Sequence, residues 1–403
     1  MTRVVVADAG RRPADQWTIE MVERKGTGHP DTLSDGIAEA ISRAYSRYTL
    51  DHFGHVAHHW VDKCMLIGGE SRIAFGHGEL IRPVKLIVVG KITREVGDQP
   101  IPVEDIATTV AREFFTQRLP GLDIDSGLTI DFELNSAVGA GRPTQWYRPV
   151  SVGDLTPVPA ARANDAVICS AYAPLSKTEQ AVLDIERHLN GATFKAAHPE
   201  IGSDIKVLAT RVGRAVDIVA CVPWIAGLTP TRAYYDEGKR WVTDEIKRLA
   251  GGSLTEHDIS VRINTRDDQE TVYLTSTGTA LDTGDVGVVG RGNRINGLIA
   301  PNRVTSIEAP AGKNPVYHSG KIYAVLALEL AQRLADKTGS ECYLSIVTST
   351  GNLLSAPDVV AAELAGTPPT DDAAAMAREI VSQVLSDVGR VSDQLVHGED
   401  PLW

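Results

Sequence analysis

The run Glu23-Arg24-Lys25-Gly26-Thr27-Gly28-His29-Pro30-Asp31 constrains this chain more than any other stretch. After it, apolar residues recur at Leu33, Ile37, Ala40, Ile41, Ala44, Tyr45 and Tyr48, the spacing of one helix face. A basic glycine loop therefore leads into an amphipathic helix, predicted over 32–48. His29 and Asp31 then fall at a helix N-terminus, where N–H groups and the dipole attract phosphate. An anion site beside a carboxylate points to a metal-bound polyphosphate.

Elsewhere helical and strand patterns are mixed. Helices are predicted over 103–118, 177–190, 232–250, 322–337 and 372–387, and strands over 84–89, 129–134, 215–222, 259–264, 272–276 and 343–347. Ser176 and Glu179 form a capping box opening the helix at 177. Strands come in twos and threes between helices, which favours α+β layers over a doubly wound parallel sheet. Loop-then-helix units recur at His29-Pro30-Asp31, Ala173-Pro174-Leu175-Ser176 and His318-Ser319-Gly320-Lys321, a hint of three related modules.

Composition excludes several classes. With 403 residues, 43% hydrophobic and 23% charged, the chain reads as a globular protein of two or three domains. It has no apolar run fit to cross a bilayer and no signal-peptide layout at its start, so a soluble, cytoplasmic protein with no membrane partner is expected. The net charge of −12 and pI near 5.4 argue against a nucleic-acid partner. Cys64, Cys169, Cys221 and Cys342 form no C-x-x-C pair, so they read as reduced packing residues rather than zinc ligands.

Four further clusters bear on chemistry. An apolar run ending in Gly68-Gly69-Glu70 sets a carboxylate at a strand-end turn, fit to meet an ammonium group or simply a surface turn. Strand alternation puts Asp204 and Lys206 on one face, suited to sugar hydroxyls and phosphate or to a solvated ion pair. The stretch from Gly284 to Gly297 interleaves five glycines with Asp285, Arg291 and Arg294. Glycine admits close backbone approach and arginine binds phosphate bidentately. The pattern is neither a Rossmann nor a Walker loop. Lys313, His318 and Lys321 gather in a run from Gly312 that precedes another helix, a second anion cradle or a basic turn. Asn164-Asp165 is a weaker candidate polar pocket.

Together these clusters resemble the S-adenosylmethionine synthetase (methionine adenosyltransferase) family in its archaeal-type branch. The matching stretches are ERKGTGHPD from Glu23, NDAVICSAYAPLSKTE from Asn164, GSDIKVLA from Gly202, GDVGVVGRGNRINGLIAP from Gly284 and GKNPVYHSGKIY from Gly312. The resemblance implies three similar α+β domains with pseudo-threefold symmetry and a sheet-to-sheet homodimer, or a dimer of dimers, with active sites at the interface. The implied domain limits are 1–27 with 171–280, 28–155 with 281–322, and 156–170 with 323–403. It implies that ATP and L-methionine give S-adenosylmethionine and tripolyphosphate, which is then hydrolysed, with Mg²⁺ and K⁺ as cofactors.

By the same resemblance, His29 contacts the oxygen that leaves the ribose C5′, and Asp31 holds Mg²⁺ with Glu23 as a second carboxylate. Lys206, Arg291, Lys313, His318 and Lys321 grip the phosphates. Asp204 and Asp165 orient the nucleoside or amino acid, Asp285 and Glu70 meet the methionine ammonium, and Arg294 lines the substrate site. A thioether is already a nucleophile, so no general base is required; the work is alignment and stabilisation of the departing triphosphate. Departures from the family pattern fall at Lys63, Val286, Val288, Tyr317 and Ser319, and in 302–307. They bear on the amino-acid side of the pocket, with Tyr317 adding a bulky ring beside the second cradle. The alternatives are a paralogue that adenosylates another thioether, and a catalytically weak nucleotide-binding regulatory subunit.

Overall fold

The computed structural model describes residues 2–138, 144–366, 368–398 and 402. Its framework is three four-stranded mixed sheets, each with helices on one face. In the first, strands run in the order Val286–Val288, His59–Ile67, Val84–Ile92, Leu128–Asn135. Helices α1 (Pro30–Phe53) and α2 (Val103–Arg118) cover it. Alternation along Val84–Ile92 sends Val84, Leu86 and Val88 inward, where they meet Leu33, Ile37 and Ile41 of α1 and Ala107, Ala111 and Phe115 of α2. Those helical residues lie four apart, so one stripe of each helix is buried.

The second sheet has the order Asp258–Ile263, Ala215–Cys221, Lys206–Val212, Ile19–Lys25. Helices α3 (Lys177–Leu189) and α4 (Arg232–Ser253) cover it. The third, ordered Arg3–Asp8, Val359–Ala365, Glu341–Thr348, Val167–Ala173, carries α5 (Ser319–Thr338) and α6 (Asp371–Ser386), and α7 (Val388–His397) packs on α5 and α1. Sheet membership does not follow chain order. Arg3–Asp8 joins the C-terminal strands, and Val167–Ala173, which spans the expected limit at 170/171, lies in that sheet throughout.

The α+β expectation holds, while several element limits differ. Helix α1 starts at Pro30 and runs to Phe53, beyond 32–48. Proline suits a first helical turn, and Gly54 ends the helix in the left-handed conformation, φ 70°. The strand expected over 272–276 is reduced to Leu274–Thr275. The strands Arg3–Asp8, Ile19–Lys25, Val167–Ala173 and Val359–Ala365 lie outside the predicted set. Asp204 stands before the strand that begins at Lys206. It turns inward and is buried, so the two residues do not share a strand face.

Candidate functional site

The glycine loop is pinned where the second sheet meets α1. The Gly26 amide donates to the Ile205 carbonyl (2.7 Å) and the Gly28 amide to that of Ser203 (3.0 Å). A Cβ on Gly28 would lie 2.2 Å from Ser203 Oγ, and one on Gly26 2.3 Å from the Ile205 oxygen. Only glycine allows the two segments this close. Thr279 Oγ1 donates to the Gly28 carbonyl at 2.7 Å. The loop therefore reaches α1 with little freedom.

His29 is the N-cap of α1, its Nδ1 accepting the Asp31 amide at 3.1 Å. The neutral ring thus carries its proton on Nε2. Burial lowers the imidazole pKa to about 4, with Lys25 and Lys206 acting the same way and Asp31 and Asp285 opposing. His29 is a neutral donor at physiological pH. Asp31 is buried. One carboxylate oxygen accepts from Lys25 Nζ (2.9 Å) and the other from the Val288 amide (3.0 Å). Lys25 also donates to the Arg291 carbonyl (2.6 Å), which draws the 284–297 glycine loop over the site while the Arg291 side chain stays exposed.

Lys206 pairs with Glu23 at 3.0 Å, its register partner one strand away being Lys25. Asp204 accepts the Ala280 amide (2.9 Å) and the Tyr273 hydroxyl (3.4 Å). Burial raises its pKa to about 7, with Asp285 adding and Lys206 opposing. Asp285 is exposed and acts electrostatically on both His29 and Asp204. Glu70 opens an exposed hairpin strand next to Gly69, whose amide donates to Leu281, so it lies along the turn that leads to Asp285. Arg294 donates to the Gly290 carbonyl (3.1 Å) and faces Asp35.

A second cationic cluster sits further along α1. Lys313 is 2% exposed, its ammonium meeting the Asp62 carboxylate (2.7 Å) and carbonyl (3.0 Å). Lys321 is fully buried and bonds Glu39 (2.7 and 2.8 Å) and the Lys313 carbonyl (2.8 Å). His318 caps α5, its ring centroid 5.3 Å from that of Trp60. Asp165 lies at the same helix start, its carbonyl accepting from Ser319 Oγ at 3.0 Å.

One chain therefore joins His29, Asp31, Glu23, Lys206, Asp204 and Asp285, while Lys313 pairs with Asp62 and Lys321 with Glu39. Eight helical residues separate Asp31 from Glu39, which faces Lys321, a rise of roughly 12 Å. Tyr317 is the residue expected to add a bulky ring beside the second cradle. Its ring packs inward, 5.1 Å from His58 and 5.2 Å from Trp146. The core of the third sheet takes the ring.

Sequence reasoning missed Lys25, Asp35, Asp62 and Thr279. Asp35 was within reach, since it lies four residues after Asp31 on the same face. It accepts the Gly290 amide (2.9 Å), and burial raises its pKa to about 7. Among the described residues no group of three or more His, Cys, Asp or Glu forms a metal cage. Mg²⁺ needs only one or two protein carboxylates when phosphates and water fill its remaining positions. Asp31, facing the loop, fits that use.

The chain matches the family model for S-adenosylmethionine synthetase (AdoMet synthetase) over residues 2–399. It is 37% identical to the S-adenosylmethionine synthase of Pyrobaculum neutrophilum, over 99% of this chain and all of that one. It is 38% identical to the enzyme of the same name from Methanothrix thermoacetophila, over 99% of both. An S-adenosylmethionine synthetase structure from Campylobacter jejuni superposes with a TM-score of 0.57 at 13% identity, covering 96% of each chain. That likeness speaks for the fold.

Proposed function

The chain belongs to the S-adenosylmethionine synthetase family, and we propose that it joins ATP to L-methionine, releasing tripolyphosphate from the ribose C5′ and then hydrolysing it. The observation that carries this reading is the meeting of His29, Lys25, Lys206 and Asp31 around one rigid glycine loop. A departing triphosphate needs donors fixed in advance. Neutral His29 presents Nε2–H toward the oxygen that leaves C5′. Lys206 and Arg291 face the phosphates. Asp204, held by Ala280 and Tyr273, orients the nucleoside. Asp285 and Glu70 receive the methionine ammonium, and Arg294 steadies the loop above them.

Mg²⁺, when bound with ATP, neutralises charge on the leaving group; Asp31 would hold it, with Glu23 beside Lys206 as a further carboxylate. K⁺ belongs to the same reading, without an assigned residue. Three similar units with pseudo-threefold symmetry, and a homodimer joined sheet to sheet, complete the proposal. Its support is the apolar side chains that stand exposed on the sheets. Ile19, Met21 and Val212 are 50%, 41% and 52% exposed on the second sheet, Met65 and Ile67 are 36% and 38% exposed on the first, and Ile168 is 62% exposed on the third. Such patches mark an interface. In that dimer Lys313 and His318, with Asp165, would complete the partner's site, and Lys321 would act from behind them.

The test is to incubate the protein with ATP, Mg²⁺, K⁺ and methionine and to follow sulfonium product and phosphate release together. Formation of both is expected. ATP consumption only with another thioether would show a paralogue, and nucleotide binding without product would show a regulatory subunit.

A further inference from the structure

Two buried carboxylates, Glu39 and Glu186, have no part in the scheme above. They are 1% and 0% exposed, and a buried charge is tolerated only when paired and hydrogen-bonded. Their positions correspond: Glu39 lies in a helix that begins at Pro30, and Glu186 in one that begins at Lys177. Each is thus nine residues past its helix start.

Their contacts correspond as well. Glu186 accepts the Thr27 amide (3.2 Å), pairs with Arg24 Nε, and accepts from Asn190 one turn on (2.6 Å). Glu39 accepts the Gly312 amide (3.0 Å), pairs with Lys321, and accepts from Arg43 one turn on (3.2 Å). Each carboxylate therefore grips a backbone amide of a cation-bearing loop that leads into a different helix. Helix α3 holds the loop into α1, and α1 holds the loop into α5.

The third corresponding position is Leu328 of α5, in a helix that begins at Ser319. It lines one cleft with Ala173, Pro174 and Leu175, the loop into α3, which carries no basic residue. A carboxylate stands where the facing segment supplies a buried cation, Arg24 or Lys321, and leucine where the flanking Lys177 is exposed. Asn190 also donates to the Ser203 carbonyl (3.1 Å), so Glu186 reaches the turn before Asp204 and Lys206.

We infer that Glu186 and Glu39 are corresponding positioning residues, each fixing the backbone of one basic loop so that His29 and Lys313 are presented to the triphosphate. The inference rests on the synthetase reading for its substrate but not for its geometry. A charged acceptor binds a loop amide more strongly than a neutral one, and small displacement of an aligned group is costly in rate.

The test compares the wild type with Glu186→Gln and Glu39→Gln by turnover, melting and amide hydrogen exchange. In Glu186→Gln, kcat should fall on the order of 10- to 100-fold with KM nearly constant, and exchange should quicken in residues 24–29 alone. In Glu39→Gln the quickening should move to 312–321. A folded variant with normal turnover, turnover loss without local quickening, or quickening spread evenly over the chain would overturn it. Should Glu186→Gln fail to fold, Asn190→Ala removes the link to Ser203 while keeping the Arg24 pair, and unchanged exchange at 24–29 would then overturn it. An inactive wild type would refute the synthetase reading, while the exchange comparison would still decide the positioning role.

Discussion

His29 is neutral because burial outweighs its acidic neighbours, and a neutral imidazole capping its own helix through Nδ1 must offer Nε2–H outward. Replacing His29 by Ala should lower sulfonium formation on the order of 10²–10³-fold, the loss typical of a donor aimed at developing charge, while the lost cap should lower stability by only about 1 kcal/mol. Asp204 differs. Its folded pKa, about 7, lies above the ordinary value of 3.8, so the folded state holds the proton more tightly. The stability it contributes is complete below the ordinary value and is lost as pH rises through about 7. Asp204→Asn cannot titrate, so between about pH 5 and about pH 8 its melting temperature should fall less than the wild type's, as thermal scans would read.

The glycine loop shows what an element adds. Gly28 has backbone within 2.6 Å of where a Cβ would stand, so Gly28→Ala must push apart the loop and the turn at Ser203. A loss of about 1–3 kcal/mol is expected, together with a fall in turnover, measured by denaturant titration and assay. Gly252, in the last turn of α4, has nothing within 4 Å. Gly252→Ala should gain roughly 0.5–1 kcal/mol, since alanine is the better helix former, and activity should not change. The same contrast explains what could be read from sequence. Periodicity located α2 without error, because its stripe is local. The strands Arg3–Asp8 and Val359–Ala365 pair across nearly the whole chain, and no local pattern announces such a partner.

At the scale of the molecule, Ile19, Met21 and Val212 of the second sheet and Met65 and Ile67 of the first stay exposed on the strands. Introducing Asp at Met21 and Ile67 together should split the proposed dimer, seen as a halved mass in sedimentation or light scattering, and should abolish turnover if the two cationic clusters meet only across that interface. An unchanged mass would remove the sheet-to-sheet arrangement.

The chemistry available was already legible in the residues: a basic glycine loop, a histidine and aspartate at a helix start, and basic residues spaced along short motifs. Those are properties of residue type and near neighbours. Which charges meet is set by the packing of the sheets and helices. Lys25 rather than a distant lysine reaches Asp31, Lys313 turns to Asp62, and Lys321 is spent on Glu39. The last two contacts join residues far apart in the chain, and even Lys25 and Asp31 meet only because the loop between them is folded back against Ser203. In each case burial fixes the pairing, because a charge taken out of water must find its counter-charge wherever the packing brings one.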